Sequence, residues 1–258
     1  MVGESNFVPL PSGPASASRR SSQAHGGWAL PQKLDLLEAW ARFSPEERAR
    51  LTVRVCCVGA ESTGKSTLVQ ALARRHHTTS MHEYGRDYTV AKKEAGTNDS
   101  WDLGDFIRIA EVQQQMEDAA AREAGPLLFC DTDAMSTDLW CERYLGARNE
   151  TVNRLARSRR YDLFVLCDID IPWEADGIRL GAESRTAMHQ RFLEVLSTER
   201  PEPWMLVSGE VVDRMDQVDA EIARLDLLSP TRMHALDRFL NLDGEPYKRS
   251  GLSRSETP

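Results

Sequence analysis

The chain has 258 residues, of which 41% are hydrophobic, and its 32 basic and 40 acidic residues give a net charge of −8. This length and hydrophobic content suit one α/β domain with extensions, and the acidic balance disfavours nonspecific binding to nucleic acid or to an anionic membrane surface. Because no run of about 18 apolar residues is present and Met1–Leu30 lacks the pattern of a secretory signal, the expectation is a cytoplasmic protein that acts on a small molecule.

Two segments precede the first predicted strand. Residues 1–32 are rich in Ser, Pro, Gly and Ala, which predicts a disordered leader. Residues 33–52 are predicted to form a helical extension of two short helices. The second helix begins after Ser44, an N-cap that is followed by Pro45 and two acidic residues.

An apolar strand at Val53–Val58 runs into Gly59-Ala-Glu-Ser-Thr-Gly-Lys-Ser, the G-x-x-x-x-G-K-S pattern of a phosphate-binding loop. A helical pattern from Leu68 onward supplies the strand–loop–helix setting that the motif requires, which argues against a chance match. In such a loop the backbone N–H groups bind phosphate, Lys65 reaches the β- and γ-phosphates, and Ser66 coordinates Mg²⁺. The motif predicts ATP or GTP as cofactor with Mg²⁺, and the predicted nucleotide-binding residues are Gly59, Glu61, Ser62, Thr63, Gly64, Lys65, Ser66 and Thr67.

Four further apolar runs alternate with helical patterns and complete a predicted main domain over residues 53–228. The runs are a short one that ends near His82-Glu83, then Leu127–Cys130, Tyr161–Cys167 and Trp204–Val207. Strands separated by helices predict a parallel sheet with helices on both faces. Residues 229–258 are predicted to form a final helix, at Pro230–Leu242, and a flexible tail.

Ligands of an open parallel sheet bind beyond the carboxyl ends of its strands, where this chain carries several acids. Asp131 follows the third strand and is the predicted second metal-associated carboxylate, with a turn aspartate as the alternative. Asp133 would point the same way if the chain stayed extended, which makes it a candidate for holding the acceptor or its proton. Glu83 ends the second strand and is a candidate base for an acceptor hydroxyl, or else an ordinary acid at a helix N-terminus. The base role stays open among these three.

Several other side chains have candidate roles. Tyr84 and Arg86 follow Glu83 and are candidate acceptor-binding residues. Arg179 and Arg185 lie in a Gly-punctuated segment after the fourth strand, which favours a kinase lid that adds guanidinium groups to the transferring phosphate over a plain surface loop. Asp168 and Asp170 are interpreted as structural, and His76-His77 as a helix C-terminal cap.

The five cysteines are interpreted as small buried hydrophobic residues. Four of them lie in predicted strands, none forms a C-x-x-C pair, and the histidines supply no partner at ligand spacing. The expectation is that the chain contains neither a disulfide nor a structural metal. The cysteines are Cys56, Cys57, Cys130, Cys141 and Cys167.

Beyond the loop, four short motifs occur in a characteristic order: Glu83-Tyr-Gly-Arg, Asp131-Thr-Asp, Asp176-Gly-Ile-Arg and Asp213-Arg-Met-Asp-Gln-Val. Together they resemble the nicotinamide riboside kinase domain of the bacterial NadR-type NAD-salvage proteins, over roughly Val53 to Leu225. The resemblance implies a phosphate-loop kinase domain whose sheet has the strand order 2-3-1-4-5, with adenine held near Asp213 and Arg214. It also implies ATP-dependent phosphorylation of the ribose 5′-hydroxyl of nicotinamide riboside, which gives nicotinamide mononucleotide.

Two alternatives belong to other classes. The acceptor could be another nucleoside or small metabolite, or the loop could serve a regulatory nucleotide-switch ATPase. The paired arginines of the predicted lid favour transfer to a bound acceptor. Only about fifty residues precede the first strand, too few for the adenylyltransferase domain of the bifunctional relatives, so the expectation is that this chain alone does not make NAD.

Overall fold

The computed structural model describes residues 40–97, 100–173 and 182–229. The five strands in this part of the chain are β1 Val53–Val58, β2 Ser80–Met81, β3 Leu127–Asp131, β4 Leu163–Cys167 and β5 Trp204–Val207. The helices there are α1 Pro45–Leu51, α2 Lys65–His76, α3 Tyr84–Glu94, α4 Leu103–Glu123, α5 Ala134–Leu145, α6 Glu150–Ser158, α7 Ala182–Thr198 and α8 Val211–Arg224.

The strands form one parallel sheet in the order β2-β3-β1-β4-β5, which confirms the predicted fold. In the register of this sheet, Cys57 of β1 lies beside Asp131 of β3, and Val58 lies beside Leu166 of β4. Gly59 follows β1 directly, so the glycine-rich loop begins at the edge of the sheet where β3 and β4 also end. The register therefore brings the end of β3 to the start of the loop.

Alternation along β1 explains why helices cover both faces of the sheet. Val53, Val55 and Cys57 pack against α2 and α8, whereas Cys56 and Val58 belong to the opposite core with α4, α5 and α7. Because successive side chains of a strand point to opposite faces, a strand that is apolar at nearly every position needs a layer on each side. The apolar runs of the sequence thus become central strands between two helical layers.

Two strand boundaries differ from the predicted ones. Strand β3 includes Asp131, which was predicted to follow the strand, because its ladder with β1 extends to Cys57. Strand β4 begins at Leu163 instead of Tyr161. The carboxylate of Asp162 accepts the Arg54 N–H at 2.8 Å, so this side chain takes the place of a ladder bond at the start of β4.

Helix α1 begins as predicted. Ser44 accepts the Glu47 N–H while the Glu47 carboxylate accepts the Ser44 N–H, a reciprocal capping box, and Pro45 occupies the first helical position. The predicted leader, the predicted helix before Ser44 up to residue 39, and the predicted helix and tail from residue 230 lie outside the described residues. Among the helices that the structure describes, none has the length and apolar character needed to cross a bilayer.

A buried carboxylate holds α4 against the sheet. Glu117 is fully buried and accepts hydrogen bonds from Arg159 at 3.1 Å and from the Tyr161 hydroxyl at 2.7 Å, and it pairs with Arg54 at 2.9 Å. Burial raises the pKa of Glu117, and the two guanidinium groups oppose that rise. These contacts join the middle of α4 to β1 and to the segment before β4. They thereby fix how closely the preceding turn of α4 packs against the sheet.

Candidate active site

The glycine-rich loop has the backbone of an anion-binding cradle. Gly59 and Gly64 have φ values of +136° and +79°, which side chains with a Cβ rarely adopt. At Gly59 an added Cβ would also lie 3.0 Å from the Cys167 carbonyl oxygen. Lys65 is buried, and its Nζ donates to the Ala60 carbonyl at 2.7 Å, so the ammonium group is held over the loop. The loop and its lysine lie as the motif requires for binding a triphosphate.

Two arginines brace the loop from outside. Arg185 donates to the Ser62 carbonyl at 3.0 Å, and Arg214 donates to the Thr63 carbonyl at 2.7 Å. Both are buried, and burial lowers the pKa of the Arg185 guanidinium. By binding outward carbonyl oxygens, these cations leave the inward N–H groups of the loop for a ligand. Arg185 lies within α7 and not in a loop as predicted, and Arg179 lies outside the described residues.

Asp131 has the properties expected of a metal-associated carboxylate. It is 3% exposed at the end of β3, and its Oδ1 has no hydrogen-bond partner among the described residues. Burial of a carboxylate oxygen without a hydrogen-bond donor costs free energy unless a cation coordinates that oxygen. Magnesium prefers oxygen ligands and keeps several waters, so Asp131 and the half-buried Ser66 hydroxyl fit it.

Asp133 differs from its neighbour because the chain turns between them. Thr132 has φ of +65°, so the backbone is not extended there and the premise that Asp133 points the same way as Asp131 is wrong. Asp133 is instead the N-cap of α5, where its Oδ1 accepts the N–H and the hydroxyl of Ser136, both at 2.9 Å. Only 1% of it is exposed, and it does not line the cleft described below. The capping contacts of Oδ1 give Asp133 a structural role, although its Oδ2, like Oδ1 of Asp131, is buried without a hydrogen-bond partner among the described residues.

The Asp133→Asn substitution is expected to increase stability above neutral pH. Burial raises the pKa of Asp133, so the folded state holds its proton to a higher pH than the unfolded state. Wild-type stability therefore falls as pH rises from the ordinary aspartate value through the raised one. Asparagine is an equally good N-cap and carries no charge. Urea unfolding at about pH 4 and about pH 8 measures the difference, with Glu111→Gln, at an exposed acid of α4, as the control. A variant that loses stability relative to wild type as pH rises would contradict this assignment.

Glu83 lies at the point where the chain leaves β2. It is the N-cap residue of α3 but makes no side-chain capping bond, and it is half-buried on the wall of the cleft. Arg86, one turn on and exposed, lines the same cleft. Tyr84 does not line it, and its ring packs 6.0 Å from the ring of Tyr88. Of the predicted acceptor-binding residues, the structure places Glu83 and Arg86 at the cleft, and Tyr84 and Asp133 away from it.

The cleft extends from the phosphate loop across the ends of β2 and β3. It encloses about 880 Å³ with its open mouth included. Its charged lining residues are Glu61, Lys65, Glu83 and Arg86. The cleft therefore places the phosphate-loop lysine and the Glu83 carboxylate in a single space.

Four aromatic rings form a second part of the cleft wall. Trp101 lies 5.4 Å from Phe106 and 5.3 Å from Tyr144, and Trp140 lies 6.3 Å from Tyr144, all between ring centroids. All four residues line the cleft. Sequence reasoning did not identify Phe106 and Tyr144 as lining residues, because they come from helical patterns that also fit core packing. Such faces suit a planar ring, and a cationic one above all.

The motif near the last strand organises the start of α8. Asp213 is exposed and its carboxylate accepts the Glu210 N–H at 3.3 Å, while Gln217 donates to the Ser208 carbonyl at 2.8 Å. Arg214 also binds the Gly209 carbonyl and Asp170 in addition to the loop. Asp170 thus takes part in the structural bracing. That Asp213 and Arg214 hold adenine stays a prediction.

Gln113 was missed by sequence reasoning, although it lies on the cleft floor. It is 2% exposed on the buried stripe of α4, which also carries Phe106, Ile109 and Glu117. A polar residue at a core position of an amphipathic helix is the signal that identifies it.

Comparisons with known proteins agree with this arrangement. The AAA domain family model matches residues 54–214. The trifunctional NAD biosynthesis/regulator protein NadR of Salmonella typhimurium is 36% identical over 159 residues, or 61% of this chain and 38% of that protein. The protein of the same name from Escherichia coli is 34% identical over 175 residues, or 67% of this chain and 42% of that protein. The chain thus spans about two-fifths of the length of these curated relatives, and the predicted resemblance to NadR-type proteins is confirmed.

Two solved structures share the fold. A crystal structure of NadR protein in complex with NR has a TM-score of 0.59 at 22% identity, covering 73% of this chain and 55% of that one. A second, in complex with NAD and AMP-PNP, has a TM-score of 0.55 at 22% identity, covering 76% and 58% of the two chains. At this level of identity the likeness concerns the fold.

Proposed function

This chain belongs to the AAA domain family, and from that premise we propose that it is an ATP-dependent kinase that converts nicotinamide riboside to nicotinamide mononucleotide. The observation that carries the proposal is the shared cleft, whose lining includes Lys65, Glu83 and four aromatic rings. The names of the NadR relatives, and the NadR structure in complex with NR, support this choice of acceptor.

The chemistry follows from the positions of the side chains. The loop N–H groups and Lys65 bind the phosphates of ATP, and Ser66 and Asp131 are the residues that would hold Mg²⁺, which neutralises phosphate charge when bound. Glu83 accepts the proton of the ribose 5′-hydroxyl as its oxygen forms a bond to the γ-phosphorus. The bond from that phosphorus to the β–γ bridging oxygen breaks, and ADP leaves with the electron pair.

The aromatic part of the cleft suits the other half of the acceptor. Nicotinamide riboside carries a planar cationic ring, and Trp140 and Tyr144 offer π surfaces within the cleft, whereas the Lys92 ammonium already lies 5.0 Å from the centre of the Trp101 ring. Glu61 and Glu83 add negative charge to the same space. Lys65 and Arg86 balance these two acids in number, so the preference for a cationic nucleoside rests on the aromatic faces and not on the net charge of the lining. This is the physical reason for choosing nicotinamide riboside among possible acceptors.

The test is ADP release by purified protein with Mg-ATP and nicotinamide riboside, other nucleosides or no acceptor. We expect strong stimulation by nicotinamide riboside, with the mononucleotide as product by mass spectrometry. The neutral dihydro form of the riboside is expected to bind more weakly, by roughly 3- to 30-fold in KM, since it loses a cation–π interaction of about 0.5–2 kcal/mol. Hydrolysis that ignores the acceptor would favour a nucleotide switch, and stimulation by another nucleoside would change the assigned acceptor.

A further inference from the structure

Glu83 and Asp131 come from neighbouring strands, yet the sheet alone does not fix their separation. The ladder between β2 and β3 consists of the pairs Ser80 with Phe129 and Met81 with Cys130. Beyond Met81 the chain leaves the sheet through His82 to reach Glu83. Because Glu83 lies beyond the ladder, as the N-cap residue of α3, a contact from outside the sheet helps to set its position relative to the end of β3.

Gln113 supplies that contact from below. Its Oε1 accepts the N–H of Tyr84, the residue after Glu83, at 2.8 Å. Its Nε2 lies 3.2 Å from the Asp131 carbonyl and 3.4 Å from the Thr132 carbonyl, and donates to both. One buried amide therefore joins the start of α3 to the end of β3.

The chemistry of the three partners fixes the orientation of this amide. The amide oxygen of Gln113 must face the backbone N–H, and its nitrogen must face the two backbone carbonyls. A flipped amide would instead place donor against donor and acceptor against acceptor. The nitrogen also lies 3.3 Å from the Met81 sulfur. Both N–H groups of the Gln113 amide donate to groups of the protein. Although Gln113 lies on the cleft floor, it therefore has no donor left to bind the substrate that receives the phosphate.

We propose that Gln113 is a positioning residue that sets Glu83 relative to Asp131, and so aligns the acceptor hydroxyl with the phosphate to be transferred. The inference rests on the proposed function, because it assumes that Glu83 acts on an acceptor. It adds a residue that no motif includes, and it assigns α4 a role in the reaction geometry in addition to its role in the core.

The test compares Gln113→Met with Gln114→Met. Methionine keeps the length of the side chain but lacks the amide, and Gln114 is a matched control because its amide donates to the Leu155 carbonyl at 2.7 Å, away from the cleft. We expect kcat to fall about 100-fold in Gln113→Met, the effect of misplacing a reacting group by about 1 Å. The KM for ATP and the binding of a fluorescent ATP analogue are expected to stay near wild-type values, and Gln114→Met to keep wild-type kcat.

A double-mutant cycle with Glu83→Gln separates positioning from general loss of structure. If Gln113 acts through Glu83, Gln113→Met costs less than about threefold once Glu83 is already glutamine, because residues that share one task are not additive. Additive losses, an equal loss in Gln114→Met, or an equal loss of ATP affinity would overturn the proposal. Wild-type protein that transfers phosphate to no acceptor would overturn the proposed function itself, a result distinct from an active wild type with an unaffected Gln113→Met.

A second variant applies if Gln113→Met fails to fold. Gln113→Glu keeps the oxygen that accepts the Tyr84 N–H but has no donor for the two carbonyls until its carboxyl group is protonated. The ratio of its kcat to that of wild type is therefore expected to rise as pH falls. A ratio that does not change with pH would overturn the positioning role.

Discussion

Lys65→Ala is expected to lower ATP-dependent transfer by about a thousandfold, the upper range for loss of one preorganised electrostatic contact. The Lys65 ammonium is buried at the loop and faces the cleft, where low exposure to water strengthens its interaction with phosphate charge. The same charge stabilises the transferring phosphate more than the ground state, so both kcat and kcat/KM fall. Steady-state kinetics with Mg-ATP and nicotinamide riboside measure the effect.

Lys93→Ala is the matched control for this experiment. Lys93 lies on α3 and is exposed, so its replacement removes the same charge from the chain without touching the loop. Wild-type activity is expected in this variant. A comparison of thermal midpoints shows whether Lys65→Ala remains folded. A folded Lys65→Ala protein with more than a tenth of wild-type activity would refute the role of the loop in phosphate transfer.

Glu83→Gln is expected to lower kcat by about 10²- to 10⁴-fold, the usual contribution of a general base. Glutamine keeps the size and the polarity of the side chain but cannot accept the proton of the ribose hydroxyl. Since ATP binding depends on other parts of the cleft, the KM for ATP is expected to change by less than about threefold, and the KM for the riboside measures how much the Glu83 charge contributes to acceptor binding. Single-turnover kinetics, which separate chemistry from product release, provide the measurement.

Asp87→Asn serves as the control for Glu83→Gln. Asp87 is an exposed acid on the same helix that pairs with His82 at 2.9 Å, so the substitution neutralises a nearby carboxylate outside the cleft. It is expected to leave kcat unchanged. If Glu83→Gln also retained kcat, the base would have to be another group, and Asp131 would be the next to test because its carboxylate lies at the end of β3 and Asp133 caps a helix.

The phosphate loop, the alternation of strands and helices, and the capping of α1 were all predictable because each depends on neighbouring residues. A φ above zero at Gly59 and Gly64 is a property of the loop backbone, and the Ser44 cap reaches only to Glu47. Apolar runs that need cover on both sides similarly imply a central strand in any fold of this class. The strand order came from the family resemblance, and the sheet confirms it.

The individual roles of the carboxylates and arginines were not predictable in the same way. A single backbone angle, the +65° φ of Thr132, turns Asp133 away from the direction of Asp131. Arg185 was expected in a loop, yet it lies in α7 and braces Ser62 from across the fold. A motif written as a string of letters contains no information on such turns, because they depend on what the segment packs against.

By itself, the amino-acid sequence determined the phosphate-binding loop after β1 and the strands whose ends surround the candidate site, because local spacing governs backbone shape. Only the tertiary structure decided that Arg214 reaches Thr63 across 151 residues, and that Gln113 joins the chain after β2 to the end of β3. Contacts between distant segments depend on the depth and rotation of packed helices, and buried polar groups must find partners wherever the packing places them.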